Sequence, residues 1–363
     1  MAKKPRVVVA MSGGVDSSVA AYILKQQGYE VIGATMNVCE NKKMDESFNE
    51  DSFSSLNAVK DAKKVSEILD IPHYVFDLNV PFKDKVIDYF INEYLKGKTP
   101  NPCIACNKHI KFDEFLKKAL ELDIEYIATG HYATLTYDRK TNRYIIRKAV
   151  DPNKDQTYFL YNLTQDQLRY ILMPLGSYVK DEIREIARNI GLDIANKKDS
   201  QEICFIPQDD YKQFLKKNAS SKIKPGPILN VKGEKIGQHK GLAYYTIGQR
   251  KGLGLSLGTP IYVIDFDINN NALIIGEKHE LKGKGLIAEN LNFIPLNKLK
   301  ETMKVKAKIR YNTPEKEALV EPENESQVRV VFNKPEYAIT PGQSVVFYDG
   351  DLLIGGGIIS KKI

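Results

Sequence analysis

The chain has 363 residues, 42% hydrophobic and 27% charged, and its 53 Lys and Arg against 46 Asp and Glu give a formal net charge of +7. That length sets an expectation of two or three domains, and the ordinary globular balance excludes both a disulfide-dense mini-protein and wholesale disorder. The positive balance favours anionic partners, nucleic acid among them, without singling one out.

Residues 6–10 form an apolar, β-branched run that predicts a buried strand, too short before its glycines for a signal peptide or a membrane span. Residues 19–27 predict a helix stopped by Gly28. Strand patterns at 30–36 and 72–78 flank a helical pattern at 58–69, and this alternation specifies an α/β fold with a doubly wound parallel sheet. The polar stretch 41–55 is expected to be a loop. Helical spacing recurs at 83–96 and 112–122, followed by a strand at 126–129. The sheet is expected to continue to about Lys148 and to close with a helix over 180–189. Past Cys204, frequent glycines between Gly226 and Gly258 predict a small central module. Alternating segments at 304–309, 328–332 and 344–348 predict a C-terminal antiparallel β-barrel. The expected division is a catalytic domain over 1–205, a central module over 206–282 and a barrel over 283–363.

Ser12-Gly13-Gly14-Val15-Asp16-Ser17 falls between the first strand and the first helix, where backbone N–H groups and a helix N-terminus can cradle a phosphate. Ser12 and Ser17 add hydroxyls, and Asp16 is expected to hold Mg²⁺ against phosphate oxygens. Competing nucleotide motifs fail. Gly97-Lys98-Thr99 has Asn92 where a Walker A loop needs its first glycine, and Gly252-Leu253-Gly254 has Leu257 where a dinucleotide fingerprint needs its third.

The four cysteines are too few for a secreted disulfide scaffold, so a cytosolic protein with working thiols is expected. Cys39 reads as a core residue, whereas Cys103 and Cys106 form Cys-x-x-Cys after Asn101-Pro102 and Cys204 follows much later. Three thiols in polar surroundings point to sulfur or metal chemistry. A thiolate is a nucleophile and a persulfide carrier, and Lys108 and Lys198 are expected to lower the thiol pKa values. Zinc on Cys103, Cys106, Cys204 and His109 is the competing structural use. Basic residues interleaved with aromatics at 244–252 and 304–311 suit phosphate clamping and base stacking. Read alone, they are equally a solvated face, and His131 and His239 are equally structural.

The glycine loop resembles the signature of the PP-loop ATP pyrophosphatases, of the adenine nucleotide alpha hydrolase-like fold. Over nearly its whole length the chain resembles the tRNA-specific 2-thiouridylases. The resemblance is carried by that loop, by residues 101–111, by Ala128-Thr129-Gly130-His131-Tyr132, by residues 154–160, by Cys204-Phe205-Ile206, by residues 246–254 and by Pro341-Gly342-Gln343-Ser344. It implies that ATP adenylates O2 of the wobble uridine 34 in tRNA for Lys, Glu and Gln, with release of AMP and pyrophosphate. Sulfur would come from a cysteine persulfide loaded by a cysteine desulfurase or a sulfur-relay protein.

Carried over by position, Ala10, Met11, Ser12, Gly13, Gly14, Val15, Asp16, Ser17, Met36 and Gly130 are implied ATP contacts. Cys106 is the implied nucleophile and Cys204 the implied persulfide carrier, joined in a disulfide at the end of the cycle. Asn101, Pro102 and Cys103 fall where the family meets the target base, and His131, Lys154, Asp155, Gln156, Arg310, Tyr311 and Gln343 match its tRNA contacts. Many members carry Asp in place of Cys103, so the proton-transfer role of that Asp has no counterpart here. The substitution also supplies Cys103, Cys106 and Cys204 as three ligands for a 4Fe-4S cluster, as in some related RNA thiolases. A PP-loop ligase of small molecules and a non-catalytic tRNA-binding protein are the remaining alternatives.

Overall fold

Val7, Val8 and Val9 are wholly buried, so both faces of the first strand are covered and the unbroken apolar run is explained. The computed structural model describes residues 4–38, 55–197, 203–206, 208, 210–255 and 258–363. The chain divides into two compact units, the first taking in 1–86, 103–208 and 351–353, the second 87–102, 209–350 and 354–363.

In the first unit, β1 (Arg6–Ala10), β2 (Glu30–Asn37), β3 (His73–Asp77), β4 (Tyr126–Ala128) and a strand at Ile171–Leu172 form a parallel sheet. Their order is third, second, first, fourth, last, with β1 central: Val9 pairs with Gly33 of β2 and with Ala128 of β4. The helix after β1 is α1 (Val15–Gln26), and Gly28, at φ +90°, turns the chain out of it. The segment before β3 carries α2 (Ser55–Ile68). After β3, α3 (Asn79–Phe82) runs through a π-helical turn, Lys83–Ile87, into α4 (Asp88–Leu95), which is counted with the second unit.

The sheet does not continue to Lys148 as expected. Residues 133–148 form an antiparallel hairpin of β5 (Ala133–Asp138) and β6 (Arg143–Lys148), turned at Asn142 with φ +55°. Their mixed buried and exposed positions suit a ladder with one wet face. The last parallel strand is instead Ile171–Leu172 (β7), too short to leave a periodic signal. Before β4, α5 (Pro102–Cys106) leads through the π-helical stretch Asn107–Glu114 into α6 (Phe115–Glu121). Past the hairpin come α7 (Gln165–Leu168) and α8 (Lys180–Asn189). Ile183 and Ala187 of α8 join Val19 and Ile23 of α1 in one buried cluster.

In the second unit, α9 (Tyr211–Ala219) stacks Tyr211 on Tyr94 of α4 with ring centroids 5.0 Å apart. Strands β8 (Gly226–Asn230), β9 (Lys235–His239), β10 (Tyr262–Asp267) and β11 (Ala272–Gly276) form the central sheet, in the order β10-β11-β8-β9. Strands β12 (Lys282–Phe293), β13 (Met303–Lys308), β14 (Lys316–Pro322), β15 (Val328–Tyr337), β16 (Ser344–Asp349) and β17 (Leu352–Lys362) follow. They run β12-β15-β14-β13-β16-β17, and Ala288 pairing with Ile359 closes them into an antiparallel barrel. On β13, Val305 and Ala307 are buried while Lys304 and Lys306 are exposed, as the alternation predicts.

Candidate active site

The glycine loop is built by short internal bonds. Ser17 Oγ accepts from the Ser12 amide at 3.2 Å and donates to Gly14 O at 3.2 Å, and Ser18 Oγ donates to the same carbonyl at 2.9 Å. Gly14 occupies the N-cap of α1 and has no side chain with which to bond the first-turn amides, so those donors suit an incoming anion. Gly13 stands at φ +69°, and a Cβ there would come within 2.9 Å of Ala58 O and of Asp61 Cβ on α2. Gly130 abuts the same helix end, since a Cβ on it would lie 2.7 Å from Ser17 N. Thus Gly130, Asp16 and Ser17 are brought together. The side chains of Ala10, Met11 and Val15 are buried, so contacts from them would be made by their main chain. Met36 is half-buried near the end of β2.

Asp16 departs from its expected use. Lys180 Nζ donates to both of its oxygens at 2.8 and 2.9 Å, and Tyr132 Oη donates to Oδ1 at 2.7 Å. Lys180 is almost fully buried, at 5% exposure. A carboxylate neutralised by a buried ammonium is a poor Mg²⁺ ligand, so the residues present do not fit the metal-holding role assigned to Asp16. Lys180 also donates its backbone N–H to Asp151 Oδ2 at 3.1 Å. Tyr132 exchanges two bonds of 3.0 Å with Gln156, its amide to Oε1 and its carbonyl from the Gln156 amide. The stretch 151–156 is thereby tied to the nucleotide loop by two routes. Composition and spacing gave no sign of Lys180, which reads in sequence as the first residue of an amphipathic helix. Lys197 was missed as well: its Nζ donates to Gly13 O at 3.3 Å and to Asp61 Oδ2 at 2.8 Å.

The cysteine pair sits on a helix rather than in a loop. Pro102 opens α5, where its fixed φ and missing N–H cost nothing, and Cys103 and Cys106 follow on the first turn. Continuation through π-helical backbone, a geometry frequent at functional sites, explains why a helical period was read only from Phe112. Asn107, buried beside Cys106, donates from Nδ2 to Phe159 O at 3.2 Å, and Gln167 Nε2 donates to Phe112 O at 2.8 Å. The cysteine helix is thereby bound to the 157–160 turn.

Burial raises the Cys106 thiol pKa above its ordinary value; Lys111 pulls it down and Cys103 adds a further upward push. Cys103 is exposed at the surface, yet loss of water around its thiol also pushes it up, opposed by Lys111. The expected lowering by Lys108 is not met, because Lys111 is the cation acting on both thiols; Lys198 lies outside the described residues, as do Cys39 and residues 41–54. A raised thiol pKa leaves Cys106 protonated at neutral pH, so its alkylation rate by iodoacetamide should climb about tenfold per pH unit from pH 7 to 8. Lys111→Gln should slow that alkylation at every pH below the thiol pKa. Rates already level at pH 7, measured by mass spectrometry of the Cys106 peptide, would contradict the raised value.

Cys204 is exposed in a turn, next to Phe205, which packs edge-on against Phe82 at 5.8 Å. Cys103, Cys106 and Cys204 are not joined in disulfides, so the Cys106 to Cys204 bridge of the expected cycle is not formed in this state. Among the described residues no three His, Cys, Asp or Glu side chains gather as metal ligands, so neither the 4Fe-4S set nor the zinc set with His109 is assembled.

The residues assigned to tRNA divide between the units. In the first, His131 is buried, bonded through Nδ1 to Thr129 Oγ1 at 2.8 Å and tilted against Phe112; burial holds it neutral, well below the usual histidine pKa. Lys154 and Gln156 are half-buried, and Asp155 accepts from the Ala149 amide and the Thr157 hydroxyl. In the second, Gln343 Nε2 donates to Thr99 O at 2.8 Å while the Thr99 amide donates to Pro341 O at 2.9 Å, which pins the chain just before Asn101 and Pro102. Arg310 donates to Ala338 O and to Thr340 Oγ1, and Lys308 lies 5.3 Å over the Tyr311 ring. Within 244–252, Tyr245 and Ile247 serve the core of the central module. His239 is structural: the Gly241 amide donates to Nδ1, which leaves Nε2 to donate to Asn271 O.

Residues 5–208 match the family described as "tRNA methyl transferase HUP domain", residues 212–277 its "PRC-barrel domain", and residues 283–359 "Aminomethyltransferase beta-barrel domain". The tRNA-specific 2-thiouridylase MnmA 2 of Caldanaerobacter subterraneus subsp. tengcongensis is 55% identical over 363 residues, which is 100% of both chains. That of Acetivibrio thermocellus is 53% identical, covering 98% of this chain and 99% of its own, and that of Clostridioides difficile is 52% identical, covering 99% of each. With three family models matching residues 5–208, 212–277 and 283–359, and with relatives 52–55% identical over nearly the full length of both chains, the chain belongs to the tRNA-specific 2-thiouridylase family.

Proposed function

We propose that this chain is an ATP-dependent tRNA-uridine 2-sulfurtransferase that converts uridine 34 of tRNA for Lys, Glu and Gln to 2-thiouridine. It works in the cytoplasm, with its catalytic domain over 1–205, central module over 206–282 and barrel over 283–363. The observation that carries this reading is the presence, in one unit, of a glycine-loop helix with no side-chain cap and of Cys106 and Cys204 outside any disulfide.

A uracil carbonyl oxygen is a poor leaving group. Attack of O2 on the α-phosphorus of ATP releases pyrophosphate and turns that oxygen into part of departing AMP. The amides at the start of α1 and the hydroxyls of Ser12 and Ser17 hold the phosphates during this step. Mg²⁺ screens the triphosphate when bound with it, and Gly130 leaves room against Asp16 and Ser17. Cys204 takes a sulfane sulfur from a cysteine desulfurase or relay protein. The Cys106 thiolate then attacks the inner sulfur of the Cys204 persulfide, forming a disulfide and expelling hydrosulfide with the bond's electron pair. Hydrosulfide adds to C2, AMP leaves, and a dithiol reductant returns the disulfide to two thiols. Asn101, Pro102 and Cys103 meet the base; His131, Lys154, Asp155, Gln156, Arg310, Tyr311 and Gln343 serve tRNA binding.

The test is incubation of the purified protein with unmodified tRNA transcripts, ATP, Mg²⁺ and a persulfide donor, followed by nucleoside mass spectrometry and assay of AMP and pyrophosphate. One 2-thiouridine per AMP is expected, and none on a transcript with cytidine at position 34. AMP formation without a thionucleoside would favour a PP-loop ligase instead. Retention of tRNA without ATP turnover would favour a binding protein.

A further inference from the structure

Two lysines stand at the glycine loop, and their surroundings give them different capacities. Lys180 is locked: its side chain is 6% exposed and bonded to both oxygens of Asp16. Lys197 is not. Its side chain is 48% exposed, its partner Asp61 is 29% exposed, and Nζ spans 2.8 Å to Asp61 Oδ2 and 3.3 Å to Gly13 O. Those two bonds use two of the three N–H donors of an ammonium.

The loop makes this placement specific. Gly13 packs so tightly on α2 that a Cβ would meet Ala58 and Asp61, so Asp61 is held directly beside the loop and carries the Lys197 ammonium with it. Gly14, the next residue, caps α1, where the open amides lie. An exposed lysine-carboxylate pair is held weakly, and a polyphosphate carrying several charges outcompetes one carboxylate for the same ammonium. We infer that Lys197 is a catalytic residue that leaves Asp61 to bind the β- and γ-phosphates of ATP and stabilises the departing pyrophosphate. Asp61 is its positioning residue.

This inference rests on the adenylation proposed above. In that step a bond forms between uridine O2 and the α-phosphorus while the bond from that phosphorus to its bridging oxygen breaks. The electron pair departs with pyrophosphate, and the N3 proton passes to solvent. Negative charge therefore accumulates on the leaving group, where a nearby ammonium in a partly closed site is most effective.

Calorimetric titration of the full-length protein with ATP, pyrophosphate and AMP separately tests it. Lys197→Gln is expected to weaken ATP and pyrophosphate by about tenfold or more while changing AMP by less than about twofold, with the thermal midpoint unchanged. Lys197→Arg, which keeps the charge, should recover most of the loss. Equal weakening of ATP and AMP, or no change in ATP and pyrophosphate, would overturn the assignment. If wild-type protein binds ATP but never thiolates tRNA, the function proposal fails while the selective loss in Lys197→Gln still stands. If it thiolates tRNA and Lys197→Gln binds pyrophosphate normally, the Lys197 inference alone fails.

Discussion

Cys106→Ser and Cys204→Ser should each cut 2-thiouridine formation by about a thousandfold or more, while ATP binding should stay at the wild-type level. The two losses differ in what they trap. With Cys106→Ser, Cys204 still accepts sulfur, and intact-protein mass spectrometry should show the protein one sulfur atom heavier with no turnover on tRNA. With Cys204→Ser, that persulfide should be absent and free sulfide at high concentration should restore part of the activity. Cys103→Ser separates sulfur relay from cluster chemistry. Because the described thiols do not gather into a ligand set, and because serine keeps a small polar side chain where Cys103 is proposed to meet the base, Cys103→Ser should retain activity within about threefold. A loss as deep as that of Cys106→Ser, tracking bound iron, would sink the persulfide cycle in favour of the cluster.

The α/β half of the chain was legible because a strand buried on both faces must be apolar throughout, as in Val7, Val8 and Val9. The barrel was legible for the opposite reason: β13 alternates lysines with Val305 and Ala307. What stayed hidden was determined by contacts distant in sequence. The strand Ile171–Leu172 takes its place only by pairing with β4, and two residues carry no period. Helical spacing is predicted only from residue 112, past the cysteine motif, because Pro102 signals a break, yet proline at the first helical position is also a start signal. Asp16 read as a metal ligand because an acidic residue in a phosphate loop invites one; its partner Lys180 lies 164 positions away. Lys197 meets Gly13 across 184 positions. Local pattern names the anion-binding amides, but not which cations converge on them.

Asp16→Asn should therefore destabilise the protein, and the sign separates two roles for that residue. A carboxylate kept for a metal is unpaired without it, so its removal would be neutral or stabilising. A carboxylate that neutralises Lys180 is different, because its loss strands a nearly buried ammonium. Breaking a buried ion pair costs about 3–5 kcal/mol, and the 30% exposure of Asp16 lowers the expectation to about 2–3 kcal/mol. In a unit of this size that corresponds to a fall of about 4–12 °C in the first thermal transition. Lys180→Met should cost a similar amount, since it leaves the carboxylate facing Tyr132 without its counter-charge. The double variant Asp16→Asn/Lys180→Met removes both charges together and should recover most of the lost stability, as a double-mutant cycle on two residues in contact requires. Thiolation should not recover with it. With the pair gone, the route from the first turn of α1 through Lys180 to Asp151 is lost and only the weaker tie through Tyr132 is left to aim the loop amides proposed to receive phosphate. Stable but inactive double-variant protein would establish that the pair orients the loop, whereas additive destabilisation would show that the two residues act separately.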